Sequence, residues 1–554
     1  MKKILDENYY DLIVENTMSP MNNEDVTPLN ETHHILHVST SKINICGQNQ
    51  IPYYYLPDLY TPISIIDRNK VNKESFRFSS EPALHGKDII IGVIGTGIDY
   101  QHPAFLNNKK KTRIISIWDQ SEQSGTIPAG FTFGSEYTGE TINQALTLND
   151  PLSIVPSTDT NGHGTAIASI IAGSPDSNQS FSGIVPESEF LIVKLKEAKE
   201  NLKQLFLVPD DSLCFQETDL ILGIRYLITV SQNLNRPLVI CIALGSNQGG
   251  HDGISPISTF LNGIAKLPNI GVAIATGDEA NKERHYFGYA FSEPYYHDIQ
   301  LNVGSSDKLF SMEIWPYAPS SLSIEIISPL GESTSTIYPS FACNEFAFEQ
   351  SRSILFVNNF VFQSGRRNPL ILIRFKNPYP GTWYLRILGV ETTPFSFHAW
   401  LPSGTLISDG TYFMNADPDT TITAPGNTTD PLTVAAYNQI NNSILTDSGR
   451  GYTRLRVIKP DIAAPGYQIP CAVPENQYGM ISGTGAAVGY AAGAIAVALE
   501  WASIEINYIN LNGNQIRGLL TFNALRDPNV TYPNNIWGYG RLDIQNLLNM
   551  LLST

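Results

Sequence analysis

The sequence is poor in cysteine, and its few cysteines do not form a metal-binding pattern. Five are present among 554 residues, widely spaced along the chain: Cys46, Cys214, Cys241, Cys343 and Cys471. They include no Cys-x-x-Cys pair, and no histidine stands near them at the spacing of a zinc site. We therefore predict reduced thiols, most of them in the core, and neither a metal centre nor a cofactor.

Positive charge is also scarce. Lys and Arg number 35 against 52 Asp and Glu, which gives a formal net charge of -17. A surface of this sign repels the phosphates of nucleic acids and of anionic membranes. The composition therefore argues against nucleic acid as a partner.

Long hydrophobic runs are the third absence. The first residues, MKKILDEN, reach acidic side chains before any apolar run develops, unlike a secretory signal peptide. No uninterrupted apolar stretch is long enough to cross a bilayer, so we expect no transmembrane segment. The 42% of hydrophobic residues nevertheless suffices for the cores of two or three globular domains.

The chain contains four stretches of different pattern. Residues 1–75 are polar at first and then carry short β-like pieces at 34–38 and 52–56, which predicts a small leading domain. From residue 87 onward, apolar β-branched runs alternate with helical spacing of apolar positions. The runs are 89–94, 190–195, 238–244 and 272–275, with helical spacing at 219–230. This alternation predicts a doubly wound parallel α/β sheet.

A different spacing of apolar and turn residues interrupts the α/β pattern. Short alternating strands separated by Pro, Gly and Asn turns are expected at 321–327, 370–375, 382–387 and 395–400. They predict an inserted all-β domain of the jelly-roll type. The α/β pattern then resumes, and residues 485–501 read as a small-residue helix suited to an interior. The predicted boundaries are 1–75, 76–298, 299–415 and 416–554, the second and fourth ranges forming one α/β domain.

Four sequence motifs carry the chemistry. They are IIIGVIGTGIDYQHPAF at 89–105, NGHGTAIASIIAG at 161–173, GVAIATGDEA at 271–280, and KPDIAAPG at 459–466 followed by SGTGAA at 482–487. In composition and order they resemble the motifs of the subtilisin-like serine proteases, the subtilases. The resemblance implies a subtilisin-like α/β fold with an N-terminal prodomain.

The residues that matter most depart from the family pattern. Gly95 stands at the place of the triad aspartate, and Gly485 stands at the place of the nucleophilic serine. His163 matches the triad histidine. Asp278 replaces the asparagine whose amide donates to the oxyanion, so that an acceptor stands where a donor belongs. The resemblance therefore implies a degenerate triad with no functional catalytic residue.

Elementary chemistry leads to the same prediction. Hydrolysis through an acyl-enzyme needs a nucleophilic oxygen, a base, a group that orients the base, and donors for the oxyanion. Loss of a triad nucleophile costs roughly 10⁶ in turnover, and loss of an oxyanion amide costs about 10² to 10³. Gly485 offers no oxygen at all, and an ionised Asp278 would repel the developing negative charge. We predict a pseudoprotease that is not an enzyme.

Two other residues could take part in catalysis, namely Asp99 and Ser482. Asp99, four positions after Gly95, could be a displaced orienting carboxylate, but a structural role in the turn is favoured. Ser482 could act as a nucleophile, but it precedes the sharp turn. For His163 itself, a titrating ligand contact is weighed against an inherited helix-start residue bonded to backbone, and the second is preferred.

Two groups outside the triad also allow a functional interpretation. His251 and Asp252 lie together in a Gly-rich loop, which could indicate a metal site, although a solvated loop of the substrate cleft is favoured. Trp315, Trp383 and Trp400 in the β insertion could form an apolar ligand platform, whereas ordinary sandwich core is the favoured interpretation.

The whole pattern is similar to one branch of the subtilases, the Csp proteins of clostridial spores. The β insertion, the short leading domain, the loop SNQGGHDG at 246–253 and the tail ALRDPNVTYPNNIWGYGRLD at 524–543 carry this resemblance. In this branch an active protease cleaves the pro-form of a cortex lytic enzyme. Pseudoprotease members of the CspA and CspC type are implicated in bile-salt, amino-acid and calcium germinant signals.

The resemblance implies a function, partners and a location. We expect a germinant sensor or signal relay in the bacterial spore, near cortex or coat, acting on a Csp-type protease or a sister pseudoprotease. Residues 1–75 should stay attached as an uncleaved prodomain. Two alternatives remain open, namely a structural partner that stabilises or packages the active protease, and a residual serine peptidase.

Overall fold

The leading part of the chain forms five short strands in the structure, a computed structural model. The described residues are 2–16, 25–42, 46, 51–67, 84–291, 293, 295–318, 320–360, 369–389, 393–504 and 510–553. The leading strands are β1 (Tyr9–Glu15), β2 (Val26–Pro28), β3 (His33–Ser39), β4 (Leu59–Pro62) and β5 (Ile65–Asp67). Strand β3 lies between β1 and β2 in an antiparallel sheet. The β-like piece predicted at 34–38 therefore lies within β3.

The second β-like piece, predicted at 52–56, was wrong. It forms a 3-10 turn, Tyr53–Tyr55, in which the Leu56 N–H donates back to the Tyr53 carbonyl. Pro52 precedes the turn with φ near −55°, the value that its ring imposes. The turn places the Tyr53 ring edge-on to Trp315, with 5.8 Å between ring centroids. This contact with the distant β insertion is not encoded in the local pattern.

The first half of the α/β unit alternates strands and helices as predicted. Its strands are β6 (Ile90–Gly95), β7 (Ile114–Asp119), β8 (Ser135–Thr138), β9 (Glu189–Lys194), β10 (Phe215–Gln216), β11 (Leu238–Ile242), β12 (Leu244–Gly245) and β13 (Ile270–Ala275). Its helices are α1 (Gly139–Ala145), α2 (His163–Ala172), α3 (Glu200–Phe206), α4 (Glu217–Asn233) and α5 (Pro256–Ile264).

The β insertion contributes ten strands among the described residues. They are β14 (His285–Ala290), β15 (Tyr296–Val303), β16 (Leu309–Pro316), β17 (Leu322–Ile327), β18 (Cys343–Ala347), β19 (Ile354–Phe360), β20 (Leu370–Lys376), β21 (Gly381–Gly389), β22 (Phe395–Trp400) and β23 (Tyr412–Phe413). A six-stranded antiparallel sheet, β14-β22-β16-β20-β19-β18, packs on a four-stranded one, β17-β21-β15-β23. Trp383 is buried between them. Trp315 and Trp400 are buried in a separate cluster with Leu370.

The last part of the chain completes the α/β unit. It comprises β24 (Leu432–Asn438), β25 (Ser443–Ile444), β26 (Ile462–Pro465), β27 (Ile469–Val473), β28 (Gln477–Ser482), α6 (Thr484–Ile504), α7 (Gly513–Phe522) and α8 (Ile544–Ser553). By length and composition, α6 could cross a membrane, but 89% of its apolar window is buried inside the protein. Its many small side chains let α2 and β13 pack closely against it.

The central sheet has nine strands with helices on both faces. Its order is β25-β24-β13-β11-β6-β9-β7-β8, with β26 beside β24. The pairings from β24 through to β7 are parallel, whereas the edge strands β25 and β8 pair antiparallel. Helices α2 and α6 share one apolar core with the sheet, and α4 and α5 share the other. The predicted doubly wound α/β fold with an all-β insertion is confirmed, with a mixed rather than wholly parallel sheet.

The cysteine prediction holds for three residues and fails for two. Cys214, Cys241 and Cys471 are buried free thiols. Cys46 and Cys343 form a disulfide, with their Cα atoms 5.0 Å apart. The two are 297 positions apart in the chain. Only the docking of the leading part against the β insertion brings them together, so spacing along the sequence could not reveal the pair.

Candidate active site

The chain itself occupies the cleft at the carboxyl end of the central sheet. Residues 59–67, here called the cleft segment, run through it in an extended conformation. Strand β4 pairs antiparallel with β12, and β5 pairs antiparallel with β28. Between these strands the Ile63 N–H donates to the Ala243 carbonyl over 3.0 Å. The segment therefore lies in the cleft as an added strand, which is how extended peptides commonly bind to a sheet edge.

His163 lies at the first position of helix α2, facing the cleft segment. The preceding Gly162 has φ of 88°, a left-handed conformation that glycine adopts without strain. The His163 Nε2 lies 2.7 Å from the Ile63 carbonyl oxygen. A carbonyl can only accept a hydrogen bond, so Nε2 carries the hydrogen and donates. Burial lowers the pKa of His163, which favours the neutral ring.

Gly95 ends strand β6 next to the start of helix α2. The neighbouring Thr96 hydroxyl accepts a hydrogen bond of 2.9 Å from the Gly164 N–H, which ties the strand end to the helix. A Cβ built on Gly95 would meet no atom within 4 Å. The space that a carboxylate side chain would enter is therefore open, and no side chain of residue 95 can orient the imidazole.

Gly485 lies in the first turn of α6, directly beneath the cleft segment. A Cβ at this position would stand 2.4 Å from the Ile63 carbonyl oxygen, far inside van der Waals contact. The Gly485 N–H donates to the Ser64 hydroxyl over 2.8 Å. In this arrangement the missing side chain leaves the room that the cleft segment fills.

Asp278 follows strand β13 and binds the same serine. One carboxylate oxygen accepts the Thr484 N–H over 2.8 Å, and the other accepts the Ser64 hydroxyl over 3.4 Å. Burial raises the pKa of Asp278 to about 6, against the lowering by the Thr484 hydrogen bonds. Ser64 itself has φ of 97°, a strained value for a residue with a side chain. Its hydroxyl is thus held between Gly485 and Asp278.

The structure brings together all four predicted positions of the candidate site. His163, Asp278 and Gly485 each contact the cleft segment, and Gly95 lies at the strand end beside helix α2. The imidazole nitrogen that would accept a proton from a nucleophile donates to a carbonyl instead. The Gly485 N–H, a donor that could serve an oxyanion, is bonded to the Ser64 hydroxyl.

Asp99 and Ser482 lie in structural hydrogen-bond networks. The carboxylate of Asp99 accepts the backbone N–H groups of Gln101 and Glu475, each over 3.1 Å. The Ser482 hydroxyl accepts the Gln468 N–H over 2.9 Å, and Ser482 pairs with Ile65 of the cleft segment. Both arrangements fit the structural roles that were favoured.

The loop containing His251 and Asp252 was wrongly interpreted as solvated. The His251 ring is buried and stacked on Trp400, with 4.1 Å between centroids. Asp252 is 9% exposed and bonds the Arg454 guanidinium at 3.0 Å. The loop is covered because the β insertion and the segment around Arg454 pack over it, a tertiary arrangement that a Gly-rich sequence cannot show. Among the described residues, no His, Cys, Asp and Glu side chains cluster as a metal site would require.

Sequence reasoning missed Ile63 and Ser64. They lie within the predicted leading domain, but nothing marked them as parts of the site. The available signal was weak. The stretch YTPISII at 60–66 has β-branched residues beside a proline, which fits an extended strand at a sheet edge.

The sheet lies between two layers of helices, and a histidine begins a buried helix beside an extended segment in the cleft. This arrangement defines a subtilisin-like protein. The chain belongs to the subtilase family, whose pattern matches residues 86–292 and 407–540, more than half of the chain. The unmatched residues between these ranges contain the β insertion from β15 to β22, while β14 and β23 fall within the matched ranges.

One solved structure resembles nearly the whole molecule. The Clostridium perfringens CspB protease superimposes with a TM-score of 0.75 and 28% identity, covering 85% of this chain and 95% of that chain. Sphericase matches with a TM-score of 0.43 and 15% identity, over 84% of this chain and 94% of that chain. No curated protein sequence matches this chain.

Proposed function

We propose that this chain is a pseudoprotease that acts by binding and not by hydrolysis. One observation supports the proposal most directly. The Ile63 carbonyl and the Ser64 hydroxyl occupy the positions around His163 and Gly485 at which a protease would carry out acyl transfer. The cleft is filled by a peptide bond of its own chain, next to a residue that has no side chain.

The chemistry of the site explains why this bond stays intact. Gly485 supplies no oxygen to attack the Ile63 carbonyl, and an acyl-enzyme cannot form without one. The neutral His163 donates from the nitrogen that a general base would need free. Asp278 adds a carboxylate close to the place where negative charge would develop.

The proposed biological role follows from similarity to the CspB protease. We propose that the chain regulates a Csp-type protease in bacterial spores, as a germinant sensor or a signal relay. The leading residues would stay attached as an uncleaved prodomain. Bile salts, amino acids and calcium are the candidate signals, and a sister pseudoprotease is a second candidate partner.

Intact mass and active-site labelling test the loss of hydrolysis. The purified chain should keep its full mass of 61.1 kDa and should not react with a fluorophosphonate. An active subtilisin-like protease serves as the positive control for the reagent. Cleavage after Ile63, or labelling that a Ser482→Ala variant abolishes, would show a residual peptidase and sink the proposal.

A reconstituted assay tests the regulatory role. The chain is mixed with an active Csp-type protease and the pro-form of its cortex lytic substrate, with and without each candidate signal. We expect complex formation and a signal-dependent change in the rate of conversion. If the protease is merely lost from spores that lack this chain, and nothing changes in vitro, the structural-partner alternative replaces the regulatory role.

A further inference from the structure

A cavity lies outside the candidate active site. Its volume is about 140 Å³, and three parts of the chain meet there: the Tyr53–Tyr55 turn, the loop at 249–256, and the edge of the β insertion. One wall is aromatic and apolar, with Tyr53, Trp315 and Phe360. Cavities that hold drug-sized molecules measure about 300–1,000 Å³. A ligand here must be smaller.

The opposite wall is acidic. Asp58 and Glu217 line the cavity, with Asp252 beside them, and Glu313 lies just behind Tyr53. All four carboxyl groups belong to residues that are at most 9% exposed. Buried carboxylates normally need cations or several hydrogen-bond donors to offset their desolvation.

Three of the four acids accept hydrogen bonds or pair with a cation, and Glu217 accepts the backbone N–H groups of Ile257 and Asp58. The Glu313 carboxylate accepts hydrogen bonds from the Tyr53 hydroxyl, the Trp315 indole and the Gly249 N–H. Asp252 pairs with the Arg454 guanidinium at 3.0 Å. Arg454 also donates to the Gly250 and Pro316 carbonyls, so its donors are engaged by groups other than Asp58.

Asp58 differs from the other three. Its backbone N–H donates to Glu217 over 3.3 Å, but its own carboxylate receives no hydrogen bond from the described residues. The residue is only 7% exposed, and the side chain lines the cavity. Burial raises the pKa of Asp58 well above its usual value, and the neighbouring Glu217, Glu313 and Asp252 raise it further. Both effects favour the protonated acid over the bare carboxylate, and a nearby cation would oppose them.

We infer that this cavity is a binding site for a small organic ammonium ion, held by the Asp58 carboxylate against the rings of Tyr53 and Trp315. A carboxylate paired with a cation over an aromatic face is a favourable arrangement for an alkylammonium group. A calcium ion would need six to eight oxygen ligands, whereas aromatic and aliphatic side chains form at least half of the cavity lining. Small ammonium ions would then be the ligands of the proposed binding function, and the biological meaning of this site rests on that proposed function.

Calorimetry on the full-length chain tests the site. Ethylammonium chloride is titrated, with ethanol as the uncharged isostere and potassium chloride as the ionic-strength control. We expect saturable binding of ethylammonium alone, weakened at least tenfold by Asp58→Asn. Asp25→Asn is the matched control, because Asp25 is half-exposed, lies outside the cavity, and should leave binding unchanged.

Proton release provides a second readout that needs no variant. Burial raises the pKa of Asp58, and a cation bound beside it lowers that pKa again, so binding should release protons and the measured heat should depend on the ionisation enthalpy of the buffer. The inference is overturned if ethylammonium does not bind, or if ethanol gives an equal response. It is also overturned if ethylammonium binds without proton release and without dependence on Asp58. Calcium binding lost in Asp58→Asn would assign the site to a metal instead.

One occupant from the chain itself must also be distinguished. Arg366 and Arg367 follow Phe360 in the sequence, within residues 361–368 that lie outside the described part. If only the Arg366→Ala/Arg367→Ala variant binds ethylammonium, the cavity normally holds a guanidinium of this chain and the inference fails. A chain that binds no amine yet keeps its full mass and resists the fluorophosphonate refutes this site alone and leaves the pseudoprotease proposal standing.

Discussion

The two glycines of the candidate site differ in the space around them. Gly95 borders open space, whereas a side chain on Gly485 would collide with the Ile63 carbonyl. The absence of a side chain at residue 485 therefore leaves room for the cleft segment. The absence of a side chain at residue 95 has no such structural consequence.

Gly485→Ala should displace the cleft segment. The new methyl group would lie 2.4 Å from the Ile63 oxygen, so the segment must shift, at an overpacking cost of about 1–3 kcal/mol. Alanine also favours a helix by up to about 1 kcal/mol, so overall stability is an ambiguous readout. Hydrogen exchange of residues 59–67 is the decisive measurement, and it should become faster.

The control for this prediction is Gly95→Ala. Its methyl group meets nothing within 4 Å, and exchange in the cleft segment should stay at the level of the parent chain. Equal exchange in both variants would contradict the close approach of Gly485 to Ile63.

Asp278 should make stability depend on pH. Its pKa of about 6 in the folded chain exceeds the ordinary value near 3.8, so folding favours the protonated acid. The resulting stabilisation is present below pH 4 and is lost as the pH rises through 6. Relative to Asp278→Asn, the free energy of unfolding should fall by on the order of 1 kcal/mol between pH 4 and pH 7. Urea unfolding at both pH values measures it, and parallel pH profiles would contradict the assignment.

At the scale of secondary-structure elements, the leading sheet is fastened by one buried charge network. Asp11 on β1 contacts Lys199 at 2.8 Å and His37 at 2.7 Å, and it accepts a hydrogen bond from Gln216. Lys199 also donates to the carbonyls of Lys3 and of strand β1. The network joins β1 and β3 to the loop before α3.

Asp11→Ala should release this sheet. Removing one partner of a buried pair leaves the other charge uncompensated and costs about 3–5 kcal/mol. We expect a lower midpoint of urea unfolding and faster hydrogen exchange in β1 and β3. The exposed pair of Lys3 and Asp25 offers the matched control, because Asp25→Ala should cost at most about 1 kcal/mol. Similar effects of the two variants would contradict a dominant role for Asp11.

An element could be predicted from the sequence when the interactions that form it lie within its own residues. Strand β6 and helix α4 follow from apolar spacing within their own residues, and both were predicted within a few positions. The Tyr53–Tyr55 turn was wrongly predicted as a β-like piece. Its contact with Trp315 of the β insertion is not visible in the local sequence. The residues that meet at the candidate site could be located in the sequence because each stands inside a motif.

At the scale of the whole molecule, the leading part is held by several independent contacts. These are the β4 and β5 pairings, the Asp11 network, and the disulfide between Cys46 and Cys343. Apolar side chains such as Leu12 pack with Phe206 of helix α3. The leading part therefore behaves as a component of the fold.

A cut between the leading part and the α/β unit should leave the two associated. A site for a specific protease is inserted between residues 68 and 83, in a Cys46→Ser background so that the disulfide cannot retain the fragment. After cleavage, both fragments should elute together in gel filtration at neutral pH. Adding Asp11→Ala should promote their separation. Dissociation without that change would show that covalent attachment alone keeps the leading part in place.

The sequence by itself determined the α/β class, the inserted β domain, and the presence of Gly95, Asp278 and Gly485 within their motifs, because these depend on residue identity and short-range spacing. Only the tertiary structure decided that Ser64 fills the site, since Ser64 and Gly485 are 421 positions apart. The same holds for the cavity at Asp58 and for the Cys46–Cys343 disulfide. Such contacts arise where separate surfaces meet on folding, and no local periodicity records which surfaces will meet.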